Sequence, residues 1–186
     1  MGERWTVGTD TRLRLLEETD VVELHSLIEA NRAYLARWLP WAAGQTLEDT
    51  RDFIRRTRSQ LSENEGFQTA IVRDGGIAGV VGYVRVDWDN RSTSLGYWLD
   101  EGQQGRGTMT KAVKLLVDHA LAGWRLNRVE IRAASENRRS RALPERLGFE
   151  QEGTLREAEL VDGRYLDCVV YAMLAADWRQ TQSGYA

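Results

Sequence analysis

The chain has 186 residues, a net charge of −3 and a single cysteine. That length suits one domain with a core of its own, and the acidic balance excludes a basic field able to recruit nucleic acid or an anionic membrane, although arginines cluster at 138–141. Cys168 has no partner for an internal disulfide, no apolar run is long enough to cross a membrane, and the charged start MGERWTVGTD lacks the apolar stretch of a signal peptide, so the cytoplasm is the expected location.

Residues 11–16, TRLRLL, alternate and predict a strand. Thr19 or Asp20 can cap a helix with Val22, Leu24, Leu27 and Ile28 on its apolar side. RWLPWAAGQ, 37–45, interrupts with two tryptophans around a proline, and a second helix of about a dozen residues follows from Thr46. Strands near 67–73 and 77–87 join through DGG, and DNRS turns into a third strand, STSLGYWL. A glycine-rich stretch then feeds a helix from Thr108 to about residue 122. Its Met109, Ala112, Val113, Leu116 and Ala120 form one core face, and Gly123 can serve as C-cap.

Beyond it, NRVEIRAA alternates as a strand, Asn137 caps a short helix stopped by Gly148, and two strands near 150–160 and 165–174 meet at VDGR. From about residue 179 the chain has nothing to pack and is expected to be mobile. The order is mixed α/β, read as one domain over 1–186. His25 belongs to the first helix and His119 to the solvated side of the helix from Thr108, so neither is placed for chemistry.

The stretch with most chemical content is 95–113, LGYWLDEGQQGRGTMTKAV. A helix entered from a glycine turn presents unpaired N–H groups and the positive end of its dipole, which together hold an anion. A Walker A loop is excluded because Thr108 and Met109 follow Gly107, and the dinucleotide fingerprint is excluded because position 110 is threonine. Two alternatives stand at this point: an anion cradle, or glycines that merely serve a tight turn.

Around that stretch stand GYWLDE, QGRG, LNRVEIR, the Asn137-x-x-Ser140 pair, ERLGF, EGTLREAE and DGRYLDCVVYAML, in that order. With these markers the chain resembles the GCN5-related N-acetyltransferase (GNAT) superfamily, and within it the RimJ/RimL-type branch that acetylates ribosomal-protein N-termini. The resemblance implies an α/β fold with a mixed, mostly antiparallel central sheet of about seven strands flanked by about four helices. It implies acetyl-CoA as cofactor, held at the pyrophosphate by Gln104, Gly105, Arg106, Gly107, Thr108 and Met109, mainly through backbone, and along the pantetheine arm by Trp98, Leu99 and Asp100. Asn137 and Ser140 join the same set. Met109 departs from the superfamily pattern, which has a small residue there; it also falls on the core face.

Acetyl transfer to an amine needs a neutral nucleophile, a polarised thioester carbonyl and a proton for the departing thiolate. The carbonyl contact is implied to be the N–H of Leu99, where the strand should bulge and splay from its neighbour. Many superfamily members protonate the thiolate with a helix tyrosine, and here that place is Pro144. Ser140 either supplies the proton or satisfies a local backbone group. Pro144 removes the helix bond to the carbonyl of Ser140 and should leave that carbonyl free. Glu101, just past the cradle, either acts as the base, directly or through water, or is a solvated or capping carboxylate at a strand end, and Asp100 has the same two readings. Trp38 and Trp41 either line the acceptor site or pack in the core. No metal is expected. An α-amine, with a pKa of about 7.8 against 10.4 for lysine, is roughly a quarter neutral near pH 7.4 and needs less help from a base. The expected reaction is direct acetyl transfer to a primary amine, most of all a protein N-terminus or aminoacyl compound. The competing readings are detoxification of an amino-containing antibiotic or metabolite, a non-catalytic acyl-CoA sensor, and an unrelated nucleotide-binding module. A homodimer is expected from the branch.

Overall fold

The computed structural model describes residues 4–183. Eight strands form one sheet: β1 Arg4–Thr6, β2 Thr11–Leu15, β3 Gln68–Arg73, β4 Gly76–Asp87, β5 Ser92–Leu99, β6 Arg128–Ala134, β7 Glu150–Val161 and β8 Arg164–Leu174. Their order across the sheet is β1-β2-β3-β4-β5-β6-β8-β7. Every pairing is antiparallel except that of β5 with β6. Five α-helices flank the sheet: α1 Val21–Leu35, α2 Leu47–Ser62, α3 Thr108–Asp118, α4 Arg138–Arg146 and α5 Ala175–Ser183.

The sheet has one strand and the chain one helix more than the sequence predicts. β1 is three residues of edge pairing against β2, too short for alternation to reveal. α5 runs into the stretch expected to be loose: Trp178, just before that stretch, is buried and its indole N–H donates to the Asp118 carboxylate at 2.7 Å. Residues 184–186 of that tail lie outside the described residues.

On one face, α1 packs Val21, Leu24 and Ile28 with Ile54 of α2 against Ala70, Val72, Ile77 and Val80. The buried stripe of α1 runs 21, 24, 28, 31, 35, alternating steps of three and four residues. Val22 is one position off that stripe and stands 66% exposed, contrary to its expected place on the apolar side. α2 starts where expected and runs longer. Its capping box has Thr46 Oγ1 accepting from Asp49 N–H at 3.1 Å and Asp49 accepting from Thr46 N–H at 2.9 Å, an arrangement that contributes about 1 kcal/mol.

On the other face, Ala112, Val113 and Leu116 of α3 and Ala120 just past it are buried as the spacing predicts, with Met109 partly buried against the same cluster and Val117 added to it. The end of this helix differs from expectation. Residues His119–Gly123 widen into a π turn, so Gly123 is no left-handed cap. The turn carries His119 inward among Trp5, Phe67, Tyr83 and Trp124, where Tyr83 OH donates to Leu116 C=O at 2.7 Å and stands 3.0 Å from His119 Nδ1. His119 is therefore part of an aromatic cluster, not a solvated residue. Among the described residues no helix is long and apolar enough to cross a membrane.

Candidate active site

β5 and β6 pair only from Ser92–Leu95 to Arg128–Ile131. Past Leu95 the strands part, β5 staying with β4 and β6 with β8. Asp100 N–H donates to Ala78 C=O at 2.8 Å, and hydrogen-bonded and non-bonded pairs alternate along an antiparallel ladder. Tyr97 and Leu99, paired with Val81 and Gly79, therefore fall in non-bonded pairs and turn their N–H and C=O groups away from β4, into the gap. The splay is as expected; the bulge is not on β5. It lies on β4, where the register slips between Tyr83 and Arg85.

Between α3 and α4 the gap opens into a cavity of about 880 Å³, within the range of ligand sites. At one end, Gly105 and Gly107 have φ of +76° and +74°, a left-handed geometry that L side chains rarely adopt. A Cβ on either would meet nothing within 4 Å, so the turn leaves open space where a ligand can approach the backbone. The first helical bond of α3, Lys111 N–H to Gly107 C=O at 3.1 Å, leaves the amides of Thr108, Met109 and Thr110 without partners in the helix. The first turn carries no acidic residue, and Arg106, Lys111, Arg139 and Arg146 line the same region. From α4, Arg139 donates to Gln104 Oε1 at 2.7 Å and Arg146 to Thr110 Oγ1 at 3.0 Å.

α4 starts as predicted, with Asn137 Oδ1 accepting from Ser140 N–H at 3.1 Å. The carbonyl of Ser140 is not free, however: it accepts from Tyr97 OH at 3.1 Å, because the splay lets that phenol reach across to the carbonyl that Pro144 leaves unbonded. Ser140 Oγ donates back to Tyr97 OH at 3.3 Å, long for a bond between hydroxyls and easily released. Burial pushes the Tyr97 phenol up to about 12, against a lowering from Ser140, so it stays protonated at neutral pH.

A strand that turns its amides into a gap, a glycine turn at a helix start and a ring of cations fit a long chain with a phosphate group. Residues 10–150 match the acetyltransferase (GNAT) domain family. The chain belongs to that family. It is 36% identical over 92% of its length to YdaF of Bacillus subtilis (strain 168), named as a ribosomal N-acetyltransferase, covering 95% of that protein. It is 30% identical over 94% of its length to the ribosomal-protein-serine acetyltransferase of Escherichia coli (strain K12), covering 98% of it. Among solved structures, that of RimL, the ribosomal L7/L12 alpha-N-protein acetyltransferase, in complex with coenzyme A superposes with a TM-score of 0.88 at 29% identity, over 92% of this chain and 98% of that one. The protein is a GNAT-type N-acetyltransferase and its acyl donor is acetyl-CoA.

In this GNAT chain Trp98, Leu99, Met109, Asn137 and Ser140 line the cavity together with the turn from Gln104 to Thr108. Asp100 does not: its carboxylate accepts from Asn31 Nδ2 at 2.9 Å. The tryptophan pair divides. Trp38 lines the cavity and packs on Ala134, Val161 and Leu166, whereas Trp41 stands outside, 38% exposed, with its ring 6.3 Å from that of Trp98. Glu101 lines the cavity and is exposed. His25 sits away from it, 3.3 Å from Thr50 Oγ1.

Sequence reasoning missed Tyr97 and Glu159. Glu159 lines the cavity and is half-buried in a strand otherwise mostly open to solvent, at the end of a register slip between Leu155 and Glu159. It bonds the Cys168 thiol, which burial, together with Glu159, pushes up to about 11, so that cysteine remains a thiol. The slip shifts which side chains face inward, and alternation alone hides it.

Proposed function

We propose that this GNAT enzyme acetylates an α-amino group, most of all the N-terminus of a protein. One observation carries the reading: the cavity is lined by two carboxylates, Glu101 and Glu159, on separate elements beyond the cradle, an environment made for a cationic amine. The named activities of YdaF and the Escherichia coli relative support a protein acceptor of ribosomal origin.

The geometry supports the following roles. The N–H groups at Gly107 to Thr110 and the neighbouring cations bind the pyrophosphate of the donor. Leu99 N–H, directed into the gap, polarises the thioester carbonyl. Glu159, the more withdrawn of the two carboxylates, takes the amine proton, and Glu101 holds the approaching ammonium. A C–N bond forms and the C–S bond breaks, and the thiolate takes a proton from Ser140 Oγ once that hydroxyl turns from Tyr97, the serine being reprotonated at the same time by water entering the cavity. Trp38 forms the wall of the acceptor end.

An α-amine sits about 2.6 pKa units below lysine, roughly 3.5 kcal/mol less to offset before attack. The test is a panel of peptides, aminoacyl nucleotides, aminoglycosides and polyamines with acetyl-CoA, the product mapped by mass spectrometry. Acetyl on the α-amine of peptides is the expected result. Faster transfer to an aminoglycoside, a polyamine or a lysine side chain would overturn the acceptor.

A further inference from the structure

We infer that Asn31 is a positioning residue for acetyl transfer, holding the end of β5 from α1 where β6 has left it. The inference rests on the role proposed above for Leu99. Asn31 is 5% exposed on a helix stripe whose other members are Val21, Leu24, Ile28 and Leu35. An amide buried among aliphatics is costly unless its polar atoms are bonded. Here they are: Nδ2 donates to Leu27 C=O at 2.9 Å and to Asp100 Oδ1 at 2.9 Å, and Oδ1 accepts from Glu101 N–H at 2.9 Å. Two of the three contacts go to the pair of residues directly after Leu99.

The strand end needs such a hold. Beyond Leu95, β5 has β4 on one side and the cavity on the other. On the cavity side the side chain of Gln104 stands 3.4 Å from the carbonyl of Leu99, a long contact. Asp100 is fixed by Ala78 through its N–H and by Asn31 through its carboxylate, so the direction of the preceding amide is set from two layers of the fold. A core position alone would take leucine. The same helix carries Tyr34 and Leu35 into the cavity wall, and Trp38 follows it. Asn31 thus fixes the distance between the acceptor wall and the amide that meets the acetyl carbonyl.

The test measures kcat, both KM values and CoA affinity by calorimetry on the full chain, using an amine that the wild type accepts. Asn31→Leu should lower kcat on the order of tenfold or more, because a small displacement of an aligned group costs that much, while CoA affinity stays within about twofold. Asn31→Asp sets two carboxylates against each other and should lose at least as much. Adding Asp100→Asn to Asn31→Asp restores an amide–carboxylate pair with the wild-type charge and should recover part of kcat, the bond to Leu27 C=O still being lost. A folded Asn31→Leu protein with kcat within about twofold of wild type would overturn the inference. So would a double variant no better than Asn31→Asp alone, or equal losses in kcat and CoA affinity. If the wild type acetylates only non-peptide amines, the acceptor proposal fails, while the clamp is still tested by the same ratios.

Discussion

The two ends of the cavity are built in different ways. The cradle is local: six consecutive residues, Gln104 to Met109, with two left-handed glycines and the start of α3. What it offers is backbone. The proposed acceptor end gathers side chains far apart in the chain, with Trp38 after α1, Glu101 after β5 and Glu159 on β7 all lining the cavity. A site made of backbone tolerates changes of side chain and fails when the turn cannot form. A site made of side chains keeps its shape under the same changes and loses chemistry.

The strongest way to break this contrast is at Glu159. Glu159→Gln should reduce kcat on the order of a hundredfold near neutral pH with little change in the KM for acetyl-CoA. If Glu101→Gln gives the larger loss, the base lies on the other wall. Gly107→Val should weaken CoA binding by roughly tenfold or more, because valine resists φ of +74° and its side chain enters the open approach. Calorimetry on a folded variant with unchanged affinity would remove the cradle. Ser140→Ala should cost about tenfold in kcat with CoA affinity kept, since water can partly protonate a thiolate whose acid has a pKa near 8.5. An effect within twofold rejects the role.

Smaller effects sharpen the acceptor end. Trp38→Ala should raise the amine KM a few-fold, about 1 kcal/mol of lost contact, whereas Trp41→Ala should change it little. Equal shifts would return Trp41 to the site. Least of all, Tyr97 should leave the rate profile alone. Its folded pKa, pushed up to about 12, lies above the free value, so the stability it contributes is complete below about pH 10 and is lost as pH rises through 12. Tyr97→Phe should therefore keep the shape of the kcat profile between about pH 6 and 9.

Legibility follows the same division. The cradle could be read because glycine spacing and helix periodicity are local signals, and the face of α3 fell where the spacing put it. β1 and α5 escaped because neither has a pattern of its own: one is held by a partner strand, the other by Trp178 reaching Asp118. Glu159 escaped because a register slip breaks the alternation that would have marked it as inward-facing. Tyr97 looked like any aromatic in a strand. Its meaning depends on Ser140, 43 positions away in the chain, and only the splay brings the two together.

That splay has a structural consequence of its own. Exposed strand edges invite pairing with other chains, and proteins cover, shorten or charge them. Here an edge is opened inside the sheet, between two strands already joined at one end and with helices packed on both faces of the sheet. The opening is a slot for a single extended chain bearing amides. The sheet is joined through Ser92–Leu95 and Arg128–Ile131 and open beyond them, so one pair of strands both closes the sheet and leaves backbone groups free to meet a ligand.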